Sequence, residues 1–264
     1  MKQKILIVLR SIATAFTMFS RVPMPRVDWK PEYMRYTLAS FPLVGVALGL
    51  VLAVWWLLCR WFSFDSILFG AGVALLPVLF TGGIHLDGYC DTVDALSSRA
   101  EPEKKREILK DPHVGAFAVI GVASYLIGYF ALASQLDGDH ISTAILFCMP
   151  VMSRAVAGYI SVSAQSSGAG LLSGMVDAAA ETRTKNVLIV WFALAALAML
   201  AASPLAGLFV ILGAALSGWL VGRMAKMQFG GMSGDLAGFL VQVGELVMLL
   251  ILIVLQRVIW IWFW

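Results

Sequence analysis

Phe41 to Leu58 reads FPLVGVALGLVLAVWWLL, eighteen residues without a single charge. A helix of about 18–20 apolar residues, rising 1.5 Å per residue, crosses roughly 30 Å of hydrocarbon. A water-facing helix of that length would show an apolar stripe with polar residues opposite. Here no polar face exists, so the segment reads as a membrane span. Working outward, the same pattern recurs. Spans are expected at roughly 36–58, 66–84, 114–134, 141–163, 187–202, 205–222 and 236–256. The 187–202 and 205–222 pair is short and joined at Ser203-Pro204, which suggests a tight hairpin. Residues 4–20 are apolar but interrupted by Arg10, which favours an interfacial or re-entrant helix. No small-residue cleavage site follows that stretch, so it does not read as a cleavable signal peptide.

Composition agrees. The 264 residues are 60% hydrophobic and 13% charged, whereas soluble domains are about 25% charged. The expected fold is therefore all-α: one polytopic transmembrane helix bundle, residues 1–264, with about seven spans and an N-terminal interfacial helix. A net charge of +3 calls for no nucleic-acid partner. Cys59, Cys90 and Cys148 are scattered without zinc or disulfide spacing and read as reduced packing residues.

Seven spans sort the cations into two sets. Of 19 Lys and Arg, 16 fall in the N-terminal region and the loops 85–113, 164–186 and 223–235; Arg60 and Arg257 fall in the other set, and Arg154 lies in a span. The positive-inside rule makes the rich set cytoplasmic. The expected location is the cell (inner) membrane, with lipid as surroundings and Trp260, Trp262 and Trp264 as an aromatic anchor at the outer interface. His140 falls in an outer turn and reads as uninvolved. A homo-oligomer is compatible with this pattern.

The polar residues that matter cluster on the cytoplasmic side. Thr81-Gly82-Gly83-Ile84-His85-Leu86-Asp87-Gly88-Tyr89-Cys90-Asp91-Thr92-Val93-Asp94 begins where a span ends. Asp87, Asp91 and Asp94, spaced i, i+4, i+7, share one helical face. Three carboxylates that close repel unless a cation compensates. Hard oxygen ligands suit Mg²⁺, which binds through one or two carboxylates together with substrate phosphates. The cluster therefore points to a phosphate or diphosphate substrate. The alternative is a solvated acidic face, and Gly82, Gly83 and His85 argue against it by adding backbone donors and a titratable ring.

Asp111, ahead of Pro112, reads either as a helix N-cap or as a further carboxylate near the metal. Arg99, Lys104, Lys105, Arg106 and Lys110 read as orientation charges, with a share that attracts an anionic nucleotide. Gly230-Gly231-Met232-Ser233-Gly234-Asp235 opens the last span. Its glycines permit close ligand approach, and the helix N-terminus behind them favours anions. Asp235 is a fourth candidate ligand, or a cap. Within the bilayer, Arg154 and Glu245, with Gln242 nearby, belong toward the bundle interior. They either pair with each other or leave Arg154 to hold a phosphate.

In order and spacing these elements resemble the cobalamin synthase family, also called adenosylcobinamide-GDP ribazoletransferase. Gly82-Gly83-Ile84-His85-Leu86-Asp87-Gly88 with Asp91 and Asp94 is similar to its G-G-x-H-x-D-G-x-x-D-x-x-D signature. Phe19-Ser20-Arg21-Val22-Pro23-Met24-Pro25 looks like its F-x-R-x-P-x-P element, Lys110-Asp111 with Gly115 its K-D-x-x-x-G, and Ser153-Arg154 its S-R pair. Gly230 to Asp235, then Gln242 and Glu245, look like its closing region. Ser233 stands where Thr is usual, Tyr89-Cys90 replaces a small apolar pair, and Ala95 replaces Gly. The resemblance implies an enzyme that joins α-ribazole, or its 5′-phosphate, to the corrinoid nucleotide adenosylcobinamide-GDP, releasing GMP. It implies Asp87, Asp91, Asp94 and Asp235 as Mg²⁺ ligands and His85 or an aspartate as proton acceptor. Arg154 is expected on phosphate. Gly82, Gly83, Asp111, Gly230, Gly231, Ser233, Gly234 and Glu245 are expected around the substrates. Rival readings are prenyl or CDP-alcohol transferases, disfavoured because a second aspartate-rich motif and a D-G-x-x-A-R start are both missing, and a transporter, disfavoured by the edge position of the carboxylates.

Overall fold

The computed structural model of the protein describes residues 2–136, 140–165, 167, 171–179 and 181–263. Trp264 and the side chains of Trp260, Trp262 and His140 lie outside the described residues. Helices α1 (Lys2–Phe19) and α2 (Pro31–Met34) precede α3 (Phe41–Trp61) and α4 (Ser66–Thr81). Helices α5 (Ile84–Ser97) and α6 (Pro102–Ile108) lead to α7 (Ala116–Ala133) and α8 (His140–Ser163). The short α9 (Leu171–Ala178) is followed by α10 (Glu181–Ala202), α11 (Pro204–Phe229) and α12 (Gly234–Phe263). Among the described residues there is no strand.

Helices α3, α7, α8, α10, α11 and α12 are each long and apolar enough to cross a membrane, and α4 with α5 passes the same test only as a pair, bent by 96° at a short break. The bend falls at Gly82 and Gly83, whose φ values of 67° and 83° lie in the left-handed region open to glycine. We read α4 as the crossing and α5, with its three aspartates, as lying along the membrane surface. Helices α5, α6 and α9 thus gather at one end of the bundle, with α1 and α2. That end carries most of the cations.

Several boundaries differ from expectation. The hairpin helices α10 and α11 are 22 and 26 residues long, not short. Each extends into a polar stretch, 181–186 and 223–228, that apolar content alone excludes. Ser203 caps α11 by accepting from the Ala206 amide at 3.3 Å, and Pro204 opens it. The first span starts at Phe41 rather than near 36, because residues 35–40 form turns.

The centre of the bundle is α8, 72% buried over its most apolar stretch, against 17% for the peripheral α10. Gly45 and Gly49 of α3 sit directly on the backbone of α8 at Pro150 and Phe147, where a side chain would collide. Small residues four apart let membrane helices pack this closely. On the outside, Leu50, Leu79, Ile127, Leu197 and Trp219 are largely exposed, as a lipid-facing surface requires. Helix α1 turns Ile5, Val8 and Leu9 outward; its Arg10 donates to the Tyr33 hydroxyl and stacks over that ring at 4.6 Å. The charge that interrupts the apolar run is thereby satisfied within the protein.

Candidate active site

The crossing of α5 and α12 brings the motifs together. Gly88 of α5 lies against the backbone of Asp235, and Gly238 of α12 lies against the backbone of His85. A Cβ at Gly88 would approach the Asp235 carbonyl oxygen to 2.6 Å, closer than packed atoms come. The two helices touch because both residues are glycine. Gly88→Val is therefore expected to lower kcat about tenfold or more by separating the α5 carboxylates from Asp235. A wild-type kcat in a correctly inserted Gly88→Val protein would show that this contact does not position the site.

All three motif aspartates ride on α5, as their spacing requires. Asp91 is pushed up to about 6 by partial burial first, then by the charges of Asp87, Asp235 and Asp94. The four carboxylates therefore feel one another across the two helices. Among the described residues no three His, Cys, Asp or Glu side chains form a ready metal cage. Asp94 turns its carboxylate onto Gly115, at the start of α7. A dispersed set of hard oxygen donors fits Mg²⁺, which takes one or two carboxylates and completes its shell with substrate oxygens and water.

Ser233 caps α12 by accepting from the Leu236 amide at 3.2 Å. The Asp235 carboxylate bonds its own amide and the Ser233 hydroxyl at the same helix start, and it lines the cavity described next. Burial and the Arg154 charge hold His85 well below the ordinary histidine range, so it is the neutral imidazole near pH 7. Its ring stacks on Phe41 at 5.5 Å and Phe19 at 6.0 Å.

Two spaces open beside α5. One is a cavity of about 400 Å³ whose lining includes Phe19, Phe41, His85, Asp87, Ser161 and Asp235, with Arg106 and Lys110 also contributing. The other is an open groove bordered by Gly82, Gly83, Asp87, Cys90 and Val122. Asp87 borders both.

Several expected site residues stand elsewhere or do other work. The Gly82 and Gly83 amides are occupied by the Leu79 and Val78 carbonyls, closing α4, so they border the groove without offering free donors. Gly230 ends α11 with φ 76°, the Gly231 amide bonds Ala225, and the Met232 amide bonds Gln165, so this loop is closed on itself. Gly234 and Ser233 do line the cavity. Asp111 is no N-cap, since Gly115 holds that position for α7. It is half-exposed and bonds the His113 amide at 3.0 Å and ring at 2.7 Å, which pulls its carboxyl below the usual range. Arg154 is fully buried, lines neither space, and is paired with Glu245. Of the two readings the sequence allowed for these charges, the structure takes the pair.

Other lining residues escaped the sequence reading. Phe41, Ser161, Leu172 and Met175 line the cavity from inside apolar segments, where nothing in a hydropathy pattern distinguishes wall from packing. Arg21 was legible only as part of a motif. Its guanidinium lies over Gly82, and its amide bonds the Phe80 carbonyl at 2.7 Å. A cation thus stands at the α4–α5 turn, beside the groove.

With this geometry in place, comparison with known proteins is informative. A family profile described as Cobalamin-5-phosphate synthase matches residues 11–253. An adenosylcobinamide-GDP ribazoletransferase from Lachnoclostridium phytofermentans is 35% identical over 253 residues, covering 95% of this chain and 96% of that one. Proteins of the same name from Clostridium botulinum (strain Alaska E43) and Geobacillus thermodenitrificans are each 30% identical, covering 90% and 88% of this chain and 94% and 90% of their own. No solved structure matches. On a match that spans nearly the whole chain, including the α5 and α12 motifs, the protein belongs to the cobalamin-5-phosphate synthase family.

Proposed function

We propose that this protein is a membrane-embedded, Mg²⁺-dependent transferase that joins α-ribazole, or its 5′-phosphate, to adenosylcobinamide-GDP. The observation that carries this reading is the gathering of Asp87, Asp91 and Asp235 at the α5–α12 crossing, between a partly open cavity and a more open groove, in a chain of this family. One space is suited to each substrate, and Asp87 stands at the border where they meet.

The reaction forms a bond from a ribose hydroxyl oxygen to the cobinamide-side phosphorus. The bond from that phosphorus to the oxygen of GMP breaks, and GMP departs with the electron pair. The hydroxyl proton passes to a carboxylate, with Asp87 the one that borders both spaces. One or two of Asp87, Asp91 and Asp235 would hold Mg²⁺, which would neutralise charge on the diphosphate and the leaving phosphate. The chain itself contributes positioning and charge: α12 presents its N-terminus to the site, and Arg21 offers a cation beside the groove. The excess of Lys and Arg at this end supports a cytoplasm-facing site.

The test is transfer by purified protein in detergent or liposomes, given adenosylcobinamide-GDP and α-ribazole 5′-phosphate. GMP and cobamide are expected in equal amounts with Mg²⁺, and neither with EDTA. Folded protein that yields no product with Mg²⁺ would refute the reading.

A further inference from the structure

The cavity beside α5 has a wall and a chemistry of its own. Phe19 and Phe41 face each other at 4.4 Å between ring centroids, and both lie near the His85 ring. Leu38, Leu172 and Met175 add apolar surface. Among the polar side chains of this lining, His85 and Ser161 are each only 3% exposed. Neither ring nitrogen of His85, nor the Ser161 hydroxyl, has a hydrogen-bond partner among the described residues. Buried polar atoms are nearly always partnered. Two such groups stand just behind the wall of one cavity, with almost no accessible surface of their own, and a ligand that shifts the wall slightly can complete their bonding.

Resting on the transfer reading above, we propose that this cavity is the ribazole site. The flat benzimidazole base lies against the Phe19, Phe41 and His85 wall, and the ribose turns toward Asp87 and the cations Arg106 and Lys110. Three arguments select this substrate. A cavity of about 400 Å³ with a partly open mouth matches a nucleoside in size, whereas most of a corrin macrocycle with its side arms would stay outside it. A benzimidazole glycosylated at one nitrogen keeps a single acceptor, its other ring nitrogen, which an imidazole N–H or the Ser161 hydroxyl satisfies. Guanine carries donors and acceptors along its whole edge, and the Phe19, Phe41, Leu38 and Leu172 part of the lining offers them no side-chain partner, at a cost that specificity depends on. The arrangement also directs traffic: a ribose at Asp87 faces the groove, where the diphosphate of the corrinoid nucleotide has room to approach.

The experiment uses the full-length protein in detergent, with α-ribazole as probe and neither corrinoid nor metal present. The fluorescence of the base reports binding, and iodide quenching reports burial. Saturable binding is expected, with the bound base shielded from iodide. Ser161→Leu, which fills the inner wall, is expected to weaken ribazole binding at least tenfold. In the transfer assay it should raise KM for ribazole and leave KM for adenosylcobinamide-GDP within twofold. A bound base as quenchable as the free one overturns the assignment, and this needs only the wild-type protein should Ser161→Leu not fold. A folded Ser161→Leu protein with unchanged ribazole KM, or with a raised corrinoid KM instead, also overturns it while leaving the transfer reading intact. Shielded, Ser161-dependent ribazole binding without any transfer would do the reverse: the cavity assignment stands and the reaction assignment falls.

Discussion

Asp87→Asn is expected to lower the transfer rate by about three orders of magnitude while the protein still inserts and folds. The substitution keeps the side chain's shape and removes only its charge. It strikes the one carboxylate that borders both the cavity and the groove. Loss of a single preorganised group that stabilises developing charge costs about 10²–10³ in rate, and this residue is also asked to hold metal and take a proton. Asp91→Asn should fall in the same direction. Stability should not fall with it, because Asp87 and Asp91 repel each other in the absence of a cation, as the raised Asp91 carboxyl records. Asp111→Asn is the natural control: Asp111 stands exposed in a local turn with His113, so its rate should stay within about twofold of wild type. The comparison is of kcat/KM for the three variants, with thermal unfolding in detergent beside it. Wild-type turnover by Asp87→Asn would remove the carboxylate cluster from the mechanism.

The second large effect is on stability. Arg154 donates to Glu245 across the α8–α12 interface, and the Ser153 hydroxyl reinforces the pair at 2.8 Å to Glu245 and 2.9 Å from Arg154. Both charges are almost wholly buried, with side-chain exposures of 1% and 3%. A charge stranded in the bilayer interior has no water to turn to. Arg154→Met or Glu245→Leu alone should each destabilise the protein by about 3–5 kcal/mol, because the surviving partner is left buried and uncompensated. The double variant should recover most of that loss, since two apolar side chains of similar volume pack without a desolvation cost. Thermal unfolding of the two single variants and the double variant reads the coupling directly. If the double variant falls by the sum of the singles, the pair acts independently and the clip between α8 and α12 is not the source of the stability. Recovery of stability together with near-normal KM values would agree with the geometry, in which Arg154 reaches neither substrate space.

Much of this molecule is legible in one dimension because the bilayer imposes a rule that acts along the chain. A run such as Phe41 to Leu58 has no other stable environment, so length and hydropathy fix the number and approximate position of the crossings. The i, i+4, i+7 spacing of Asp87, Asp91 and Asp94 likewise fixes that they share a helix face. Boundaries were less legible where polar residues continue a helix beyond the apolar span, as at Glu181–Asn186 and Arg223–Gln228.

What a residue type does is another matter. The glycine-rich runs at 82–83 and 230–231 look like anion cradles by composition, yet their amides close α4 and α11. Whether such an N–H is free depends on which carbonyl lies within hydrogen-bond reach, and that is decided by the turn. Asp235 and Ser233 are both good caps by type; only the fold reveals that Ser233 accepts from the Leu236 amide while the Asp235 carboxylate, bonded to its own amide and to Ser233, also lines the cavity. Arg154 could have met a phosphate or Glu245, and the packing of α8 on α12 chose Glu245.

The sequence by itself determined a helical membrane bundle, the side on which its cations gather, and the helix that carries the carboxylates, because each of these follows from solvent and periodicity. Only the tertiary structure decided that α5 and α12 cross at Gly88 and Gly238, that Phe19, Phe41, His85 and Ser161 meet around one cavity, and that Asp87 stands between two spaces. Those are distances between residues from about 20 to 150 positions apart along the chain, and they are set by how closely backbones can approach, which no local pattern encodes.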